Sequence, residues 1–297
     1  MGIPYGDLRT AEDEYLTRRS LKTDIGVLAR TLLAALLAPS AKATPVPRPF
    51  VVSARIDNLT IEEAVTLILT MPDPARARLV YFVHAHALNL ARFDRTYAQL
   101  LGDADALLPD GVGIRMAAGL LGIAMRHNLN GTDLFPILCR RAAEERIPLV
   151  LIGGKPGVAE ECGRRMRQQV PDLNIALALP GYFGSDEEAT AVSERIRSIG
   201  RALVLVGMGS PRQERWSATH LRGCAGATVL TVGGLFDFYS GRIRRAPIFW
   251  RETGMEWAYR FLQEPRRLAR RYVVGNPLFL TLALIQRFGR VFGRTAD

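Results

Sequence analysis

The sequence predicts an α/β fold: a mainly parallel sheet flanked by helices, followed by a basic helical C-terminal appendage. Three observations predict it. Continuous apolar runs of strand length alternate with stretches of helical apolar spacing, as expected of strands buried on both faces and joined by crossover helices. Polar or glycine-rich clusters follow these runs, at the strand ends where open α/β sheets bind ligands. From Arg242 onward the composition turns to arginine and aromatics, with twelve arginines and no lysine against Glu252, Glu256, Glu264 and Asp297.

Residues 1–48 read as an N-terminal extension ending in the loop-like "SAKATPVPRP". Within it "IGVLARTLLAALLA" (25–38) is too short to span a bilayer and is interrupted by Arg30, so it reads as an amphipathic helix. The α/β domain takes residues 49–243. It opens on "FVVSARIDNLT", a short strand into a helix, where Thr60 and Glu63 have the spacing of a capping box. Strands are expected at 79–83, 105–109, 148–153, 174–179, 202–207 and 227–233. Helices are expected between them at 87–101, 111–122, 132–146, 157–170, 186–199 and 211–222. Residues 244–297 form the appendage, whose apolar stretch 278–285 falls well short of the roughly 20 residues of a membrane span. Two readings of it stand. It lies on a membrane surface, with Trp, Phe and Leu inserted and Arg on the phosphates, or it packs on the body as a solvated helical hairpin. Phe279, Phe288 and Phe292 among the arginines favour the membrane.

Composition bounds the chemistry. With 297 residues, 48% apolar and 23% charged, the chain folds and buries a sizeable core. The net charge of +10 attracts polyanions such as nucleic acid, anionic lipid or phosphorylated substrates. Cys139, Cys162 and Cys224 lack CxxC spacing, which suggests neither a disulfide framework nor a zinc site and fits a reducing compartment. The acidic start, with Asp7, Glu12, Asp13 and Glu14, is unlike a signal peptide, and no transmembrane segment is expected.

Five clusters stand at strand ends: "VHAHALN" (83–89), "PDGVG" (109–113), "GGKPG" (153–157), "GMGSPRQE" (207–214) and "GGLFD" (233–237). Gly153 and Gly154 can bring backbone amides to an anion at a helix N-terminus, though Walker A spacing is absent. Gly207 and Gly209 match only the start of a dinucleotide fingerprint, with Arg212 at the third glycine's place. Asp110 admits two roles. It can cap the next helix for about 1 kcal/mol, or serve as a general base on an exposed strand-end turn. Gly111 and Gly113 would leave room beside it for a ligand. His84 and His86 alternate with apolar residues and, on a strand, would face one side; they could bind a metal, hydrogen-bond a sugar or phosphate, or be core imidazoles. With no third ligand nearby, the metal is the weakest of these. "NGT" at 130–132 reads as a helix start capped by Thr132 or Asp133.

Taken in order, "LLPDGVGI", "NGTDLFP", "LIGGKPGVAEE", "LVGMGSPRQERW", "VGGLFDFYSGRIRRAP" and "EWAYRFLQEPRRLARRYVVGNPLFL" resemble the WecG/TagA/CpsF family of bacterial glycosyltransferases, from about residue 50 to about 285. The resemblance implies a Rossmann-like core and inverting transfer of a sugar from a UDP-sugar to a polyprenyl-diphosphate-linked saccharide in exopolysaccharide or cell-surface glycan synthesis. It implies a peripheral enzyme at the cytoplasmic face of the inner membrane, needing no metal or other cofactor. Asp110 matches the proposed base. Gln213 and Asp237 match family positions near the nucleotide or the active site, and Gly233 and Gly234 join them as nucleotide-binding candidates. Arg260, Arg267 and Arg270 match tail positions thought to swing over the site and stabilise the leaving diphosphate.

Two departures concern the sugar. His84-Ala-His86 stands where many members carry Thr-x-Asn, and "NLNG" puts Asn128 where many carry Arg. Asn128, Asn130, Thr132 and Asp133 thus join His84, His86 and Gly111 as candidate substrate contacts, and the donor is open between a plain hexose and an N-acetylhexosamine. The expected partners are the UDP-sugar, the lipid-linked acceptor and an anionic membrane, not nucleic acid; the oligomeric state is open. A nucleotide-dependent oxidoreductase and a non-enzymatic anionic-lipid-binding module are the alternatives.

Overall fold

The computed structural model describes residues 46–292; the helix expected at 25–38 lies outside the described residues. A small antiparallel hairpin, β1 (Phe50–Val51) and β2 (Ala54–Arg55), opens the chain. Helix α1 (Ile61–Leu69) follows with the expected capping box: Glu63 N–H donates to the Thr60 hydroxyl, and Thr60 N–H to the Glu63 carboxylate.

Six parallel strands then build one sheet: β3 (Arg78–Val83), β4 (Ala106–Pro109), β5 (Leu149–Gly153), β6 (Ile175–Leu179), β7 (Ala202–Gly207) and β8 (Ala227–Thr231). Their spatial order is β4-β3-β8-β7-β5-β6. The chain goes to one edge, crosses to the other, and fills the middle last. Between the strands run α2 (Ala85–Phe93), α3 (Arg95–Gly102), α4 (Val112–Leu120), α5 (Gly131–Glu144), α6 (Val158–Gln169), α7 (Asp186–Ile199) and α8 (Arg212–His220). The fold is thus α/β and Rossmann-like. One helix expected over 87–101 is two, because Asp94 ends α2 and caps α3 by accepting from Tyr97 N–H at 2.9 Å.

Both faces of the sheet are buried. Tyr81, Val83, Val204 and Val229 face α2, α3 and α4, while Val80, Phe82, Leu151 and Leu205 face α1, α5 and α6. This is why the strands read as unbroken apolar runs. At the C-terminal edge β5 and β7 approach so closely that a Cβ on Gly153 would overlap the Gly207 carbonyl oxygen and stand 2.8 Å from the Gly207 Cα. Gly153→Ala therefore costs at least the roughly 1–3 kcal/mol of an overpacked core, and a thermal melt should show a midpoint several degrees lower.

After β8 come α9 (Leu235–Tyr239), α10 (Ile248–Glu252), α11 (Glu256–Gln263), α12 (Pro265–Ala269), a π-helical turn at Arg270–Val274, and α13 (Gly275–Phe292). Helix α13 lies against the body, with Phe279 and Ala283 buried in the same core as Ala87 and Ile114. Asn89 Nδ2 donates to the Gly275 carbonyl at 2.7 Å. Gln286 accepts from Val52 N–H at 2.7 Å and donates to the Phe50 carbonyl at 3.0 Å, which clips α13 to the hairpin. Phe279 therefore cannot be one of the aromatics offered to a membrane. The continuous helical stretch Pro265–Gly289 contains an 18-residue window of mean hydropathy 1.2, long and apolar enough by length and composition to cross a bilayer, unlike the segment 278–285. One such helix is weak evidence for a span; Phe279 and Ala283 on it pack in the core, while most of it is not buried.

Candidate active site

The order of the sheet sets the site. Strands β4 and β3 are neighbours in register, Val83 beside Pro109, so the residues that follow them, Asp110 and His84, emerge side by side. Asp110 N–H donates to the Val83 carbonyl at 2.8 Å. The glycine turns after β8, β7 and β5 continue the same edge.

Asp110 does not cap α4. The N-cap is Gly111, at φ 91°, with no side-chain cap bond. The Gly111 N–H instead donates to Asn128 Oδ1 at 2.9 Å, so a residue 17 positions on holds the turn and leaves the carboxylate uncommitted. Burial raises the Asp110 pKa from 3.8 to about 6, against the opposing charge of Arg271. Losing the Asn128 side chain leaves the turn loose. We expect Asn128→Ala to lower kcat about 10- to 100-fold with little change in thermal midpoint, as initial rates and melting curves will show.

The histidines are not a strand pair, because β3 ends at Val83. His84 is the N-cap of α2, its Nδ1 accepting from Ala87 N–H at 3.1 Å, and His86 lies in the helix's first turn. That bond assigns the neutral ring's proton to Nε2. The two rings stack at 6.0 Å. Burial and the nearby Arg271 charge hold both below the usual imidazole range, His86 at about 4. At neutral pH they are uncharged hydrogen-bonding groups. Among the described residues no group of three or more His, Cys, Asp or Glu is placed to hold a metal ion.

Helix α5 is capped by Asn130, whose side chain accepts from Thr132 N–H at 2.8 Å, and not by Thr132 or Asp133. Asp133 instead pairs with Arg245 and, at 4.0 Å, with Arg251. Thr132 gives its carbonyl to the Tyr239 hydroxyl at 2.7 Å.

The glycine turns are tightly interlocked. Gly154 N–H donates to the Gly207 carbonyl at 3.1 Å. Gly209 N–H and Gly233 N–H both donate to Gln213 Oε1, at 3.1 and 2.9 Å. These amides are spent inside the protein, so the turns offer a ligand room rather than these donors. Asp237 is buried and paired with Arg242 at 2.8 Å. Above Gly234 lies Arg260: one guanidinium nitrogen would stand 2.6 Å from a Cβ there, and the group rests 5.2 Å over the Phe238 ring. Arg260 Nε is buried without a hydrogen-bond partner.

The other tail arginines divide. Arg267 is exposed and pairs with Glu264 at 2.7 Å, and Arg270 is exposed. Arg271, which sequence reasoning missed, is half-buried, and its charge acts on Asp110, His84 and His86. Burial lowers its own pKa.

A family model described as the glycosyl transferase WecG/TagA/CpsF family matches residues 50–292. The chain belongs to this family. In this WecG/TagA/CpsF glycosyltransferase, a sugar-nucleotide donor and a glycan acceptor are the general partners. The match begins at Phe50 in the hairpin and runs through α13, so the α/β sheet and the appendage both fall inside it.

Proposed function

We propose that the enzyme transfers a hexose or N-acetylhexosamine, with inversion, from a UDP-sugar to a saccharide on polyprenyl diphosphate. The observation that carries this reading is one uncommitted carboxylate, Asp110, on which the charges of Arg271 and Arg260 act. An acceptor hydroxyl attacks the anomeric carbon, its proton passes to Asp110, and the bond from that carbon to the UDP oxygen breaks. A base with a pKa near 6 is ionised at neutral pH and still basic enough to accept a proton. One carboxylate serves an inverting displacement, whereas retaining hydrolysis typically uses two. The developing diphosphate charge meets Arg260, whose Nε lacks a partner, and Arg271. The neutral rings of His84 and His86, with Asn128, would contact the sugars, and the room over Gly153, Gly154, Gly207, Gly209, Gly233 and Gly234 would take the nucleotide. The test is a panel of UDP-sugars with a short-chain polyprenyl-diphosphate-sugar acceptor, read out as UDP release. Release that depends on one UDP-sugar and on the lipid-linked acceptor supports the reading, and none with any donor refutes it.

The reading also sets the enzyme peripherally on the cytoplasmic face of the inner membrane. Exposed Val274, Leu278, Ile285 and Phe288 repeat along one side of the appendage, opposite buried Phe279 and Ala283. Exposed Arg266, Arg267 and Arg270 stand at its start, each worth about 1 kcal/mol near an anionic surface. Leu278→Glu with Ile285→Glu should abolish sedimentation with anionic liposomes while the protein stays folded. Undiminished sedimentation would rule this docking face out.

A further inference from the structure

Behind the glycine turns lies a buried polar cluster that the proposed chemistry does not touch. Glu214, in the first turn of α8, is 1% exposed. Its Oε1 accepts from the Ser210 hydroxyl at 2.9 Å and from Gln213 Nε2 at 2.7 Å. Its Oε2 is buried with no partner, and so is the hydroxyl of Tyr97 on α3. No cation pairs with Glu214 among the described residues, and burial raises its pKa. A buried carboxylate with no cation is costly, and such a group takes up a proton instead.

We propose that Glu214 is a neutral carboxylic acid that donates from Oε2 to the Tyr97 hydroxyl and acts as a positioning residue for the sugar-nucleotide turns through Gln213. The logic is directional. Because Glu214 Oε1 is an acceptor, the Gln213 amide presents its NH2 to it, and its oxygen is turned towards Gly209 and Gly233. That one oxygen ties the turn after β7 to the turn after β8. The turns carry positive φ at Gly209 (81°) and Gly233 (58°), conformations that glycine adopts and that fixed donor–acceptor bonds hold in place. Tyr97 and the Glu214 carboxyl act on one another, and the proton on Oε2 sets the direction of that contact, from the acid to the Tyr97 hydroxyl.

This inference rests on the UDP-sugar reading only for its functional readout. The experiment compares full-length Glu214→Gln, Glu214→Leu and Gln213→Met with wild type for UDP affinity by calorimetry, steady-state KM and kcat, and hydrogen exchange at the Gly209 and Gly233 amides. Glutamine keeps an acceptor and a donor without charge. Glu214→Gln should therefore hold UDP affinity within about twofold and keep both amides protected. Glu214→Leu and Gln213→Met should weaken UDP binding about tenfold or more, raise KM far more than they lower kcat, and unprotect both amides. If Glu214→Gln is as damaging as Glu214→Leu, the group is needed as an anion and the proposal is wrong. Unchanged affinity and protection in Gln213→Met would overturn it equally. Should wild type itself not bind UDP, the donor assignment fails, and the amide protection in the same variants still decides the network.

Discussion

Asp110→Asn should fold, bind UDP as wild type does, and lose about 10²–10⁴-fold in kcat, the range that positioned general bases contribute. The variant keeps the side chain's size and its place beside His84 and removes only the ability to take a proton. Its stability gives a second, independent readout. The carboxyl's pKa rises from 3.8 to about 6 in the folded protein because burial disfavours the charge. Between those values the folded state holds the proton more tightly than the unfolded chain does. Wild-type stability therefore falls as pH rises through that window and stays reduced above it. Asp110→Asn escapes this loss. It should melt higher than wild type at pH 7, and the difference should close as pH falls to about 4. A variant that retains transfer, or melts lower at pH 7, would remove Asp110 from the role of base.

Arg271→Gln should lower kcat by about 10²–10³-fold, comparable to removing one preorganised transition-state donor, and should also move the acid limb of the rate profile. Arg271 favours the ionised form of Asp110. Without it the base's pKa rises above about 6, so a larger fraction of enzyme is protonated at any given pH and the acid limb shifts upward. The exposed neighbour is the control: Arg270→Gln should leave the limb in place. Equal effects from the two substitutions would refute the assignment of Arg271 to the site.

Much of the fold was legible because the forces that make it are local or periodic. Five of the six apolar runs are strands buried on both faces, the edge strand β6 being only partly covered, and Thr60 with Glu63 reads as a cap because its bonds span three residues. The turns around Asp110 and the glycines were legible as an edge because parallel strands all end on one side. The misses have separate causes. Asn128 holds Gly111 from 17 positions away, a pairing that no spacing rule announces. "HAH" alternates like a strand, but the strand stops one residue earlier, and histidine is a rare N-cap. Arg271 was not among the candidates because the resemblance pointed to Arg260, Arg267 and Arg270, and only the folded tail shows the Arg271 charge acting on Asp110.

The burial of Phe279 and Ala283 has a consequence for how the enzyme comes into being. Domains generally take shape from the N-terminal end as the ribosome releases them. Here the core that contains the first strand of the sheet remains open on one side until Ala283 has been made, and the Gln286 clip to the hairpin comes later still. A nascent chain carrying every strand and Asp110 still lacks Phe279, whose loss from a core costs about 3–5 kcal/mol. Synthesis of the basic, apolar segment is thus coupled to completion of the catalytic body. A chain that stops before α13 would carry Asp110 on a core still open where Phe279 and Ala283 belong.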